Sequence, residues 1–200
     1  MRISGGKARG IPLRVDKKGD VRPATENTRE RLFSSIVHSV QNASTLDLFA
    51  GSGAYGLESL SRGAKSSTFV EKNRSVFNHL KINLAAVLKS ANLKGETGRL
   101  VHRDVVDFVR IKPEHPYDLI FIDPPYSEIE KLCPKIFGLL LSNQYLSADG
   151  LIILETPGEL KIEFAGWKTQ RVLGKEKRGS PVHRCYAPHP PSSDQELAER

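Results

Sequence analysis

The chain has 200 residues, 38% of them hydrophobic and 26% charged, a length and balance that suit one globular domain able to bury a core. No apolar run reaches the roughly 18 residues of a membrane span, and Met1 to Lys7 lack the apolar stretch of a secretory signal. The net charge of +7 is concentrated at residues 1–31 and 165–186, and the two cysteines, Cys133 and Cys185, are too far apart to suggest a zinc motif or a disulfide.

Arg2 to Val15 sets Gly5, Gly6, Gly10 and Pro12 among β-prone residues and predicts a small basic hairpin. Thr28 to Val40 spaces Leu32, Phe33, Ile36 and Val37 as a helix does, with Thr25 or Asn27 as its cap. Thr45 to Phe49 is a short apolar strand that runs into a glycine-rich turn, and Ala54 to Arg62 carries Leu57 and Leu60 at helical spacing. Ser67 to Glu71 reads as a second strand. Arg74 to Leu88 then reads as a helix with Phe77, Leu80 and Leu84 on one face. Arg99 to His102 is a third strand, followed by a short helix through Val105, Val106 and Val109.

Tyr117 to Asp123 is a nearly continuous apolar run of the kind buried on both faces of a sheet. A helix from about Glu128 to Ser142 and a strand from Leu151 to Glu155 follow. Strands alternating with helices predict a mostly parallel sheet covered by helices. The end of the chain breaks that rhythm. Lys168 to Leu173 and Val182 to Ala187 are two strands joined by Gly174 to Pro181, an antiparallel hairpin. From Pro188 the chain is polar and proline-rich, has nothing to pack, and is predicted to be disordered. The expected division is a basic extension at 1–40, a cofactor-binding catalytic domain at 41–187, and a tail at 188–200.

Asp47 to Gly56 lies between the first sheet strand and a helix, where glycines let the backbone turn sharply beside a ligand. Glu71 ends the next strand, where a carboxylate can take both hydroxyls of a ribose. Gly51, Ser52 and Gly53 with Glu71 therefore predict an adenosine-containing cofactor. Gly51 to Gly56 also satisfies the dinucleotide pattern G-x-G-x-x-G, which keeps NAD open as a competitor. The carboxylate of Asp47 would repel a pyrophosphate and attract a cationic amino-acid group, and the C-terminal hairpin departs from the nicotinamide-binding pattern. Both favour S-adenosyl-L-methionine.

Asp123-Pro124-Pro125-Tyr126 ends the fourth strand, at the carboxyl edge where open α/β sheets bind ligands. An exocyclic amino group on a base is a poor nucleophile, because its lone pair is delocalised into the ring. The Asp123 carboxylate and the Pro124 carbonyl can accept its two N–H groups and direct the lone pair toward a methyl. Pro124 and Pro125 fix φ and remove backbone donors, so the turn presents acceptors only. Tyr126 offers a flat face to a base taken out of its stack. Asp104, after the third strand, suits either a hydrogen bond to the adenine amino group of the cofactor or an N-cap of the following helix. No histidine or cysteine pattern predicts a metal site, and no cysteine is placed as a nucleophile.

Four segments together, Arg2 to Gly10, Arg22 to Thr25 with Arg29 to Phe33, Asp47 to Gly53, and Asp123 to Tyr126, resemble the bacterial 16S ribosomal RNA guanine-N2 methyltransferases of the RsmD type. The resemblance runs from Arg2 to about Tyr186. It implies a Rossmann-like class I methyltransferase with a seven-stranded sheet and an N-terminal extension that contacts RNA. It also implies cofactor contacts at Thr25, Asp47, Gly51, Gly53, Glu71 and Asp104. The implied substrate is small-subunit ribosomal RNA, within the assembled or assembling subunit. The two distant cysteines suit a reducing cytoplasm, and the chain is expected to act as a monomer.

The basic ends nominate Arg2, Lys7, Arg9, Arg22, Lys175, Lys177 and Arg178 as RNA contacts on the face around the cofactor pocket. An adenine-N6 methyltransferase of DNA or RNA is the alternative. It normally carries a separate target-recognition region, and no stretch here is long enough to be one.

Overall fold

The computed structural model describes residues 1–15 and 26–189. Arg22 and Thr25, and the tail from residue 190, lie outside the described residues.

Seven strands form one sheet: β1 (Ser44–Leu48), β2 (Ser66–Glu71), β3 (Gly98–His102), β4 (Tyr117–Ile122), β5 (Leu146–Pro157), β6 (Trp167–Leu173) and β7 (Pro181–Pro188). Their order is β3-β2-β1-β4-β5-β7-β6. The first five pair in parallel, and β7 runs antiparallel between β5 and β6. After β1 the chain moves outward through β2 and β3, then returns to β4 on the other side of β1. A crevice opens at that reversal, beyond the carboxyl ends of the strands.

The apolar runs of the sequence are strands buried on both faces, and their residues alternate between two cores. Leu46, Leu48, Val70, Ile120 and Ile122 face the helices α5 (Val105–Val109) and α6 (Ile129–Ser142). Phe69, Leu119, Phe121 and Ile153 face α1 (Glu26–Ser35), α2 (Val37–Val40), α3 (Ala54–Ser61) and α4 (Arg74–Ala91). The N-terminal hairpin belongs to the second core. Ile3 N–H donates to Ile11 O and Leu13 N–H to Met1 O, both at 2.9 Å, and Ile3, Ala8 and Leu13 are buried beside Leu57 and Leu60.

The helix predicted over residues 28–40 is two helices. Ile36 leaves helical geometry at φ −114°, ψ 19°. The break lets Ile36 and Val40 both enter the core while Val37 stays exposed. Asn27 lies inside α1 and so cannot be its cap. β5 begins at Leu146, earlier than its apolar stretch, because Leu146 pairs with Tyr117 across a register shift in β4. Among the described residues, no helix is long and apolar enough to cross a membrane.

Candidate active site

The turn after β1 is shaped by its glycines. Gly53 holds φ +83°, and a Cβ there would lie 2.5 Å from Leu80 Cδ1 and 2.9 Å from Leu57 Cδ1. Only glycine fits both that backbone and that space. Gly56 packs α3 onto β2, since a Cβ would meet the Phe69 ring at 2.3 Å. Gly51, at φ +54°, is different: a Cβ would meet only Phe49 O, at 3.8 Å, so its open side faces a cavity.

That cavity has a volume of about 410 Å³ and lies over the crevice between β1 and β4. Gly51, Ser52, Glu71, Asp123 and Pro125 all line it, so the turn after β1 and the turn after β4 share one space. Asp123 is brought there by the backbone, its N–H donating to Leu48 O of β1 at 3.4 Å. Phe49, Val70, Val105 and Leu132 supply apolar wall.

Glu71 is held rather than free. Its Oε2 accepts from Gly51 N–H at 3.0 Å and its Oε1 from Asn73 N–H at 2.6 Å. Each carboxylate oxygen retains a lone pair for a ligand hydroxyl, as a ribose requires. Asp47 lies beneath the turn and does not line the cavity. Its Oδ2 accepts from Gly56 N–H at 2.8 Å, whereas its Oδ1 is buried with no partner. Burial pushes the Asp47 carboxyl up to about 8, against the Gly56 N–H, which lowers it, and with help from the Glu71 charge. Burial likewise holds Asp123 well above the usual carboxylate range, and the charges of Glu155 and Asp47 add to the shift. A cationic ligand beside them would favour the charged form of both carboxyls and oppose these shifts. An apolar-walled cavity, a positioned acceptor pair at Glu71 and an orphaned acidic oxygen at Asp47 fit a nucleoside with a positively charged tail.

Asp104 caps α5, its Oδ1 accepting from Val106 N–H at 2.8 Å. Its other oxygen lies 3.5 Å from Lys72 Nζ. Of the two roles open to it, the cap is present. Pro124 is buried and does not line the cavity. Tyr126 opens a one-turn 3-10 helix outside the cavity lining, 43% exposed. Its hydroxyl donates to Glu155 Oε1 at 3.2 Å.

The basic residues separate into two groups. Lys175, Lys177 and Arg178 are exposed in the connection from β6 to β7, at the same carboxyl edge as Asp123. This connection packs on the end of β5, with Gly158 N–H donating to Ser180 O at 2.7 Å. Lys7 and Arg9 sit instead at the hairpin tip. Lys7 N–H donates to Ser61 O at the far end of α3, about 12 Å along that helix from the glycine turn. The expectation that Lys7 borders the pocket therefore fails, because the hairpin lies along α3 and only its base meets the cavity. Arg2 is exposed and paired with Glu26 at 2.6 Å.

Sequence reasoning missed what the hairpin base contributes. Met1, Arg14 and Val15 line the cavity. Asn83 of α4 fixes Arg14 there, accepting from Arg14 N–H at 2.8 Å and donating to Arg14 O at 3.0 Å and Ser52 O at 2.9 Å. One buried amide thus ties the glycine turn to the N-terminal arm. A lone Asn within an amphipathic helix carries no pattern that announces this.

A family model described as Conserved hypothetical protein 95 matches residues 1–186. Ribosomal RNA small subunit methyltransferase D of Escherichia coli (strain K12) is 35% identical over 188 residues, 93% of this chain and 89% of that protein. The protein of the same name from Haemophilus influenzae is 34% identical over 157 residues, 78% of each chain. The solved structure of yhhF from Escherichia coli is similar at a TM-score of 0.77 and 34% identity, covering 95% of this chain and 98% of that one.

Proposed function

The chain belongs to the conserved hypothetical protein 95 family, and on that premise we propose that it transfers a methyl group from S-adenosyl-L-methionine to the exocyclic N2 amino group of a guanine in small-subunit (16S) ribosomal RNA. The observation that carries this reading is the single cavity that joins Gly51 and Glu71 to Asp123 and Pro125. The coarser part, methylation of ribosomal RNA, also draws on the name of the Escherichia coli relative at 35% identity.

When bound, S-adenosyl-L-methionine supplies an electrophilic methyl on a sulfonium. Glu71 holds the ribose hydroxyls, and the buried acid of Asp47 favours the cationic amino-acid end from beneath the turn. Asp123 accepts an N–H group of the target amine and aims its lone pair into the cavity, whereas Pro124, buried behind it, keeps the turn rigid. Tyr126, at the mouth, stacks the extruded base. Asp123 acts by orientation, since the nitrogen becomes acidic only as the methyl arrives. Lys175, Lys177 and Arg178 hold phosphates of the ribosomal RNA along the same edge.

Mapping modified nucleosides in small-subunit ribosomal RNA from a strain lacking the gene tests the reading. One N2-methylguanosine should disappear and return when the purified protein is supplied with S-adenosyl-L-methionine. Loss of N6-methyladenosine instead would replace guanine by adenine as the target.

A further inference from the structure

Behind Asp123 lies a buried polar cluster that the reaction as described does not use. Glu155 of β5 is 2% exposed. Its Oε2 accepts from the Tyr55 hydroxyl at 2.5 Å and lies 3.5 Å from His183 Nε2. The Tyr55 hydroxyl is itself 2.8 Å from His183 Nε2. The remaining oxygen, Oε1, takes the hydroxyl of Tyr126 at 3.2 Å.

This cluster has an inner and an outer part. The inner groups are fixed by packing: Tyr55 stacks on Phe121 with ring centroids 5.3 Å apart, and His183 is set opposite Glu155 by the β5–β7 register. Tyr126 is outside, on a single 3-10 turn and 43% exposed. A buried carboxylate costs more than an apolar residue of similar volume unless its hydrogen bonds are met. Here the hydroxyls of Tyr55 and Tyr126 meet them, and Tyr126 reaches the surface beside the cavity.

We infer that Glu155 is a positioning residue for the target base, a buried anchor that holds the Tyr126 ring beside Asp123 through the tyrosine hydroxyl. The inference rests on the reading of Tyr126 as the base-stacking face. It assigns Tyr55 and His183 the supporting task of fixing the Glu155 carboxylate. Because the anchor acts on the base and not on the cofactor, its loss should slow transfer without weakening cofactor binding.

The test is a double-mutant cycle in single-turnover methylation of small subunits lacking the modification, at saturating S-adenosyl-L-methionine. Tyr126→Phe keeps the ring and removes only the tether, and should slow transfer about tenfold, the loss typical of one hydrogen bond to a charged group. Glu155→Gln should cost a similar factor alone and about twofold or less in the Tyr126→Phe background, with cofactor affinity unchanged. Equal losses from Glu155→Gln in both backgrounds would overturn the proposal. So would a wild-type rate in Tyr126→Phe, whose folding is checked separately by its melting temperature. Failure of the parent reading has its own signature, an undiminished rate in Tyr126→Ala.

Discussion

Arg29 of α1 and Glu58 of α3 form an ion pair with neither side chain exposed, Nε to Oε2 at 3.3 Å. Glu58 is the hub of the N-terminal arm. It also accepts from Ser4 N–H at 2.9 Å, from Gly5 N–H at 2.8 Å and from Arg62 Nε at 2.7 Å. Arg29 in turn donates to Arg2 O at 2.5 Å. The charged pair therefore seats the hairpin whose base walls the cavity. Glu58→Ala leaves Arg29 buried without its anion and should destabilise the fold by about 3–5 kcal/mol. Urea unfolding measures this, and a loss below about 1 kcal/mol would show that the arm is held by its apolar contacts alone.

In the proposed function Glu71 is the acceptor pair for the ribose. Glu71→Ala removes hydrogen bonds to a charged group and should weaken S-adenosylhomocysteine binding by about 1–3 kcal/mol. Calorimetry reads the effect directly. Tighter binding of NAD than of S-adenosylhomocysteine by the unaltered protein would remove the basis of the cofactor assignment.

Asp47, raised to about 8, is mostly protonated at neutral pH in the free protein. A bound cation favours its ionised form, so binding should expel protons. Affinity for S-adenosyl-L-methionine should accordingly rise with pH up to about 8 and level off above it. Calorimetry near pH 7 in buffers of different ionisation enthalpy counts the protons, and Asp47→Asn should remove its share. Affinity that fell between pH 6 and 8 would contradict the sign of this linkage.

In the proposed reaction Asp123 orients the amine and touches the cofactor little. Asp123→Ala should lower single-turnover methylation by on the order of a hundredfold or more, with cofactor affinity changed much less than by Glu71→Ala. Near-normal turnover would remove this turn from the mechanism.

Lys175, Lys177 and Arg178 share the carboxyl edge with Asp123. Neutralising all three should reduce the slope of log affinity against log salt by about two to three, since each phosphate contact contributes roughly 0.7–0.9. Cofactor binding should not change. A constant slope in filter-binding titrations would make them solvated surface.

The elements that local chemistry specifies were legible in the chain itself. The run Tyr117 to Asp123 could only be a strand buried on both sides, Gly53 and Gly56 required a turn and a close helix, and the turn at Asp123 was expected at the cavity that Asp123 and Pro125 line. These signals are short-range, because backbone conformation and side-chain period act within a few residues. Tertiary structure alone decided which distant groups meet. The Glu155–Tyr126 tether spans 29 positions, as does the Arg29–Glu58 pair, and Asn83 reaches Arg14 across 69. A single Glu in an apolar strand, or a single Asn on a helix, has no repeat by which to be read. Its partner is chosen when parallel strands β4 and β5 set their register and α4 lies down beside the turn. The same packing moved Lys7 from the pocket to the far end of α3, since the hairpin follows the groove that buries Ile3, Ala8 and Leu13 rather than its own charge.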